Sequence, residues 1–376
     1  MTVQNLSYST SKEIVNINAT VLRDFMRDVF AGLGVPKKDA KIIAKILIAS
    51  DLSGIDSHGI QRCKMYYDRI KAGIYNTKTK IKTVKEGPTT AVLDGGCGMG
   101  PVIAHAAMKL AIKKAKKYGL GAVAVRNSTH FGIAGYYASM ATEAGMIGLT
   151  TTNARPAVPP TFGVEPMLGT NPLTSGVPTD EKFPFLLDCA TSIIQRGTVE
   201  VLNRSNQFLP DGVVITKDGN TETNPDDVLH DLIDKSAALL PLGGKGEGTS
   251  GYKGYGYATL VEILSSALQS GAFLKETAGV IEDGQMRLKV GHFFLAINVE
   301  SFLPLTLFEQ NVGNIMRGLR NSKKVPGKER IYTAGEKEHY KRLDRKKTGI
   351  PVNKSLQRDI LIMQEELSLT KYKFAF

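Results

Sequence analysis

The sequence predicts an α/β protein whose two ends form a helical part, and three observations carry that prediction. Apolar residues fall at helical spacing as far as Ala72. Buried-strand runs alternate with amphipathic helices from Thr90 onward, and the final stretch after Val299 reads as charged helices. Thr20 is placed to cap a first helix with Val21, Phe25, Val29 and Phe30 inward, which Gly32, Gly34 and Pro36 end. A second helix carries Ile42, Ile43, Ile46 and Leu47 on one face. Polar residues and two glycines break the pattern from Asp51 to Gly59, and a third helix runs from Ile60 to Ala72. Thr90 to Leu93 then reads as a strand, Val102 to Lys117 as a helix and Gly121 to Val125 as a buried strand. A helix from Ala134 to Ala144 and strands at Met146 to Thr152 and Phe185 to Cys189 follow. Val213 to Thr221 reads as a hairpin turned at Asp218-Gly219, Tyr255 to Gln269 as a helix and Phe293 to Val299 as a strand.

Composition narrows the function classes. With 42% apolar residues and 22% charged ones the 376-residue chain builds folded domains, and charges such as Lys45 and Glu262 cut its apolar runs well below the ~20 residues of a membrane span. Three cysteines without a C-x-x-C pattern argue against a disulfide framework and a zinc site. The N-terminus has neither the basic nor the apolar region of a secretory signal, so the expectation is a cytoplasmic protein with no membrane partner. The net charge of +12 is concentrated between Arg317 and Lys347, where basic residues outnumber acidic ones by eight. A solvated face is one reading of that segment; a contact for nucleic acid or for a nucleotide phosphate is the other. It lacks interleaved aromatics, so no nucleic-acid partner is expected.

Two motifs mislead. The cluster Gly95-Gly96-Cys97-Gly98-Met99-Gly100 sits where a dinucleotide fingerprint would, but Pro101 occupies its last glycine position, which favours a tight strand-to-helix turn. Ser250 to Lys253 with Lys347-Thr348-Gly349 imitates a serine acyl-transfer pair without its middle element.

Three segments carry chemistry. In Asp56 to Arg62, Ser57 and His58 open the third helix, and Arg62, Tyr66 and Arg69 follow on one stripe, where a guanidinium can grip a carboxylate with two parallel hydrogen bonds. A helix N-terminus would keep His58 neutral. The segment Arg126 to Tyr137 joins a strand end to a helix start, the usual ligand position of an open sheet, and holds His130. Asp188 follows three apolar residues in a strand, where burial calls for a histidine or arginine partner. A cap serine, a polar turn and a second helix cap are the structural alternatives. No metal-ligand spacing occurs among the six histidines.

Together these segments resemble the malate/L-lactate dehydrogenase family, which lacks a Rossmann domain and includes sulfolactate, ureidoglycolate and cyclic imino-acid enzymes. The resemblance rests on Asp51-Leu52 with Ser57-His58-Gly59, Asn127 to Tyr137, Gly169-Thr170-Asn171-Pro172, Asp188 to Ser192 and Lys253-Gly254-Tyr255-Gly256. Cys189 stands where methionine is usual, and Tyr252 where histidine is. The resemblance implies non-Rossmann mixed-sheet domains with a helical N-terminal and C-terminal dimerisation part, and a homodimer using NAD or NADP. The expected division is 1–78 with roughly 300–376 for substrate and dimerisation, 79–125 with roughly 250–300 for the central sheet, and 126–250 for the cofactor.

The implied reaction interconverts a 2-hydroxy acid and a 2-oxo acid. Malate and oxaloacetate are favoured, with Arg155 or Arg126 as the second cation that a dicarboxylate needs; another oxo acid or a cyclic imino acid is the alternative, and a phosphate- or nucleic-acid-binding protein the alternative of another class. Carried over by position, Ser57, His58 and Asp188 form a proton relay, His130 stands at substrate and nicotinamide, and Arg62 and Tyr66 hold the substrate acid. His130, Phe131, Gly132, Ile133, Ala134, Asn153, Thr170, Asp188, Cys189, Ala190, Lys253, Gly335 and Glu336 line the cofactor. His58 is the leading proton carrier and His130 the second.

Overall fold

The computed structural model describes residues 14–204, 206–282 and 284–376. Strand β1 (Val15–Ile17) leads into helices α1 (Ala19–Gly32), α2 (Lys37–Leu52) and α3 (Ile60–Lys71). Asn18, not Thr20, caps α1, its side chain accepting Thr20 N at 2.8 Å. That sets the register of the helix: Leu22, Phe25, Met26, Val29 and Phe30 are buried, and Val21 faces out.

Strands β2 (Lys82–Glu86) and β3 (Thr90–Asp94), helix α4 (Gly100–Tyr118) and strand β4 (Leu120–Ser128) come next, followed by α5 (Gly135–Thr142), β5 (Met146–Thr152), β6 (Leu173–Val177) and β7 (Phe185–Cys189). Beyond them lie α6 (Arg196–Arg204), β8 (Val214–Thr216), α7 (Pro225–Asp234), β9 (Ala237–Leu239) and α8 (Gly251–Ser266). The chain closes with β10 (Val280–Glu282), β11 (Gln285–Arg287), β12 (Val290–Asn298), α9 (Leu305–Asn321), α10 (Glu336–Thr348), β13 (Ile350–Val352) and α11 (Lys354–Glu366).

Seven strands form one mixed sheet in the order β2-β3-β4-β12-β5-β6-β7. Only β3 and β4 pair in parallel, because α4 is the crossover between them. The sheet therefore draws strands from both sides of the expected boundary at 125. The glycine cluster is the turn from β3 into α4, as its failed fingerprint implied; a Cβ on Gly100 would come within 2.2 Å of Thr129 O, so glycine is required for that approach. The expected hairpin at Val213 to Thr221 is corrected: β8 pairs with β9, and Asp218-Gly219 closes only a tight turn bridged at Ile215 and Thr221.

Three cores result. The apolar faces of α1 to α3 pack with Ile350, Val352, Ile360, Met363 and Tyr372 from the C-terminus, and β1 pairs with β13 beside them. Each such fully buried large side chain contributes about 1.5–3 kcal/mol. The apolar stripes of the N-terminal helices are thus covered within the chain. Exposed apolar residues lie instead on α8 (Tyr257, Leu260, Ile263) and α9 (Leu307, Ile315, Leu319). The second core lies between sheet, α4 and α5, and the third joins Val158 and Leu168 to Val199, Val214, Val228, Leu239 and Ala258.

Several arginines of the basic C-terminal segment anchor it to the chain. Arg317 pairs with Asp180 at 2.9 Å, Arg320 and Arg330 meet buried Glu336, and Arg345 meets Asp56. Among the described residues, no helix is long and apolar enough to cross a membrane.

Candidate active site

Helix α3 begins against a buried carboxylate. Asp51 accepts Ile60 N at 2.9 Å, and a Cβ on Gly59 would fall 1.7 Å from its Oδ1, so only glycine permits this turn. Burial, then the Asp56 carboxylate, holds the Asp51 carboxyl well above the ordinary range. The tight turn Asp56–His58 is gripped from α10 by Arg345, which meets the Asp51 carbonyl and both oxygens of Asp56, the second at 2.9 Å from Nη2.

That turn presents Ser57 and His58, with Ser57 Oγ 2.8 Å from His58 Nδ1. The His58 ring stacks beside His130, centroids 5.5 Å apart and planes 27° from parallel. His130 is held from below by α3: Tyr66 Oη lies 2.7 Å from its Nδ1 and donates to its carbonyl at 3.1 Å. The loop carrying it is clamped at each step. Thr129 Oγ1 donates to Gly98 O and accepts Gly100 N, both at 2.9 Å, and Gly132 takes φ +84° against Ile46.

Electrostatics keep both imidazoles neutral. Burial, then the Arg62 cation, pulls His58 down to about 3, and burial, then His58 and Arg62, pulls His130 well below its ordinary value. The neutrality of His58 thus comes first from desolvation and not from a helix N-terminus. Arg62 itself is half-buried, its Nε has no hydrogen-bond partner and its Nη1 meets only Met65 Sδ at 4.0 Å. A desolvated guanidinium that forms no ion pair among the described residues, beside two neutral imidazoles, suits an anion with proton-transfer groups at its edge.

Asp188 lies elsewhere. Its Oδ2 accepts Gly135 N at 2.8 Å and its Oδ1 accepts Thr174 Oγ1 at 2.9 Å, which leaves no hydrogen bond to either imidazole. Of the expected relay Ser57–His58–Asp188, the structure pairs Ser57 with His58 and bonds Asp188 to Gly135 and Thr174. Arg126 is also committed, its Nε 2.9 Å from Asp94, so it offers no free cation to a substrate.

The family profile described as malate/L-lactate dehydrogenase matches residues 17–361. The chain belongs to the malate/L-lactate dehydrogenase family. It is 44% identical to the malate dehydrogenase of Pyrococcus horikoshii over 90% of this chain and 92% of that protein. It is 40% identical to the L-sulfolactate dehydrogenase of Methanocaldococcus jannaschii over 91% and 94% of the two chains. Among solved structures, that of malate dehydrogenase from Entamoeba histolytica superposes with a TM-score of 0.92 at 42% identity, covering 97% of this chain and all 100% of that one. The protein is an oxidoreductase of this family, which implies a nicotinamide cofactor.

Part of the expected cofactor lining fits such a group. Three segments converge around β7: Leu186 N donates to Ala334 O, a Cβ on Gly335 would come within 3.0 Å of Leu186, and Thr191 O accepts Leu242 N, against which Gly254 packs. Glycines at 254 and 335 keep this cradle open, and Lys253 at the start of α8 is exposed without an ion pair among the described residues. From there to His130 the chain is short, since the five steps from Gly135 to His130 span at most about 18 Å.

Other expected residues are spent on structure. Asn153 donates to Glu262 and Ala272 O and accepts Gly291 N; Glu336 accepts Thr333 N and Oγ1 while pairing with two arginines. Thr170 gives its carbonyl to Thr191, and Cys189 Sγ points to Leu173 O at 3.9 Å. Phe131, Ile133 and Ala134 are buried, as is Ala190. Sequence reasoning gave no role to Asp51, Thr129, His292 or Arg345. Asp51 and Thr129 lie within segments that carry the resemblance, whereas His292 and Arg345 left no signal.

Proposed function

We propose that the chain oxidises malate to oxaloacetate, and reduces it in reverse, as a homodimer in the cytoplasm using NAD or NADP. The observation that carries this reading is the Arg62 guanidinium, half-buried and without an ion pair among the described residues, beside the stacked pair His58 and His130.

Arg62 grips the C1 carboxylate in a bidentate fork and so fixes C2 and its hydroxyl over the imidazoles. Tyr66 then sets the proton carrier. Its phenol lies 2.7 Å from His130 Nδ1 and donates to the His130 carbonyl, and Gly132 N donates to the same Nδ1 at 3.3 Å, so Nδ1 is tied to the protein from two sides. With Nδ1 engaged in this way, Nε2 is the ring nitrogen left to exchange the hydroxyl proton with the substrate. His130 is therefore the proton carrier and His58 its neighbour, the reverse of the order expected from the sequence. The bound nicotinamide supplies the acceptor for the hydride that leaves C2. Asp188 to Ala190, Lys253 and Gly335 would hold the cofactor, with Lys253 supplying a cation for its phosphates.

A dicarboxylate is favoured by the surrounding cations. Burial, then the Arg69 and Arg196 guanidiniums, with Arg62 beyond them, holds Arg155 below its ordinary value, and Arg155 forms no ion pair among the described residues. Oxaloacetate should therefore outpace pyruvate. The exposed apolar residues of α8 and α9 support a dimer.

The test follows reduced-nicotinamide absorbance with NADH and NADPH against oxaloacetate, pyruvate, sulfopyruvate and a cyclic imino acid. Turnover highest on oxaloacetate is expected. A preference for the imino acid moves the reading to C=N reduction, and no turnover on any substrate ends it.

A further inference from the structure

His292 sits at the middle of the sheet, on β12, and is fully buried. Both ring nitrogens are bonded: Nδ1 lies 2.8 Å from Thr152 Oγ1 and Nε2 lies 2.7 Å from Ser128 Oγ. The direction of these bonds follows from Thr152, whose hydroxyl faces the carbonyls of Gly291 and Asn153, each at 3.0 Å. Carbonyls only accept, so the Thr152 proton goes to them and its oxygen receives His292 Nδ1–H. His292 Nε2 is then bare and accepts the Ser128 hydroxyl proton. Burial holds the ring neutral against the carbonyls of Thr129 and Gly291, which favour its charged form, and the Thr152 bond sets its tautomer.

The ring face is used as well. Phe131 lies on it at 4.4 Å with planes 3° apart, and Tyr137 covers the other side of Phe131 at 5.0 Å while its hydroxyl bonds the Phe131 carbonyl. His292 therefore touches the loop at Ser128 and at Phe131, on both sides of His130. A local irregularity makes this reach possible. The pairing of β12 with β4 slips between Val290 and His292, and Gly291 sits at the slip because a Cβ there would fall 1.7 Å from Ser265 O.

We propose that His292 is a positioning residue for the redox reaction: held in one tautomer by Ser128 and Thr152, it fixes the Ser128–Phe131 segment so that His130 Nε2 meets the substrate oxygen. This rests on His130 being the proton carrier. His292 touches none of the reacting atoms, and its influence passes through the loop.

The experiment compares full-length wild type with His292→Phe, which keeps a flat ring on Phe131 and removes both hydrogen bonds. Long-range proton–nitrogen NMR of histidine-labelled protein reads the His130 tautomer directly, and steady-state kinetics read kcat and both KM values. The expected result is a folded variant whose His130 nitrogen signals move, whose kcat falls about 10- to 100-fold and whose KM for the nicotinamide stays within about two-fold of wild type. In a His130→Asn background the same substitution should cost nothing further. Unchanged His130 signals in the folded variant, or losses that multiply in the double variant, overturn the proposal. Should His292→Phe fail to fold, Ser128→Ala, which removes one of the two bonds, is read by the same signals with the same consequences. A different result separates the underlying reading: if His130→Asn keeps wild-type turnover, His130 is not the proton carrier, and the NMR comparison alone then decides whether His292 fixes its ring.

Discussion

Asp188 accepts the amide of Gly135 at 2.8 Å, placing a carboxylate of the edge strand β7 on the first residue of α5. The contact is close enough that a Cβ on Gly135 would fall 2.6 Å from the same oxygen. A negative charge is favoured at a helix start, and Thr174 on the adjoining strand supplies the second hydrogen bond. Burial still raises the Asp188 carboxyl above the ordinary range, with the Gly135 and Thr174 bonds acting against it. Asp188 thus fixes the far end of the loop that begins at His130.

Because Asp188 and His58 share no bond, their losses should multiply. His58→Asn and Asp188→Asn are each expected to lower kcat/KM, with Asp188→Asn also weakening the nicotinamide, and the double variant should show the product of the two within about two-fold. A double variant no worse than either single one would restore the relay.

Tyr66→Phe removes the group that orients His130 while the ring stays packed against Phe30 and Tyr75. Its kcat is expected to fall by at least ten-fold and by less than the ~10²–10⁴ of a lost general base. Thermal unfolding should stay close to wild type. Wild-type kcat in Tyr66→Phe would remove the phenol from the mechanism.

Much of this site is legible in the sequence, and the reason is local. Ser57-His58 and Arg62-x-x-x-Tyr66 lie on one turn and one helix, where spacing fixes which side chains share a face. Asp188 was misread because its partners come from β6 and α5. Leu173–Val177 alternates small and apolar residues too weakly to announce a strand, and no local rule says which helix start meets an edge strand. His292 escaped for a similar reason: its contacts depend on a register slip beside β4 and on a pairing with β5, both remote in sequence. The basic segment misled because charge counts do not show pairing, and acids at positions 56, 180, 181 and 336 meet several of its arginines.

Arg62→Lys replaces a planar fork with a point charge. The KM for the acid substrate should rise by at least ten-fold, while that for the nicotinamide changes little. Equal rises in both would place Arg62 away from the substrate carboxylate.

Arg345 joins α10 to the turn that bears Ser57 and His58, so removing it should cost both stability and turnover. Arg345→Met leaves the half-buried Asp56 carboxylate without its bidentate partner, at the lower end of the ~3–5 kcal/mol for breaking a buried pair. Urea unfolding measures the first effect and kcat the second. A variant as stable as wild type would show that the clamp contributes little.

Acid should destabilise the protein through His292. Burial lowers its pKa to about 3, against ~6.5 in the unfolded chain. Between those values the unfolded state binds a proton that the native state does not. The stabilising effect of the neutral ring is therefore complete above pH ~6.5 and is lost as pH falls toward 3. His58 and His130 act in the same direction, as do carboxylates held low such as Asp94, while buried Asp51 and Asp188 act against them, so the contribution of His292 must be read as a difference between proteins. His292→Phe has no proton to gain at this position, and its unfolding free energy should fall less steeply with acid, by roughly 1 kcal/mol per pH unit. Urea unfolding of both proteins at several values between pH ~4.5 and 7 gives the two slopes. Parallel slopes would mean that His292 takes up a proton in the folded protein as readily as in the unfolded chain, so that burial does not hold its ring neutral.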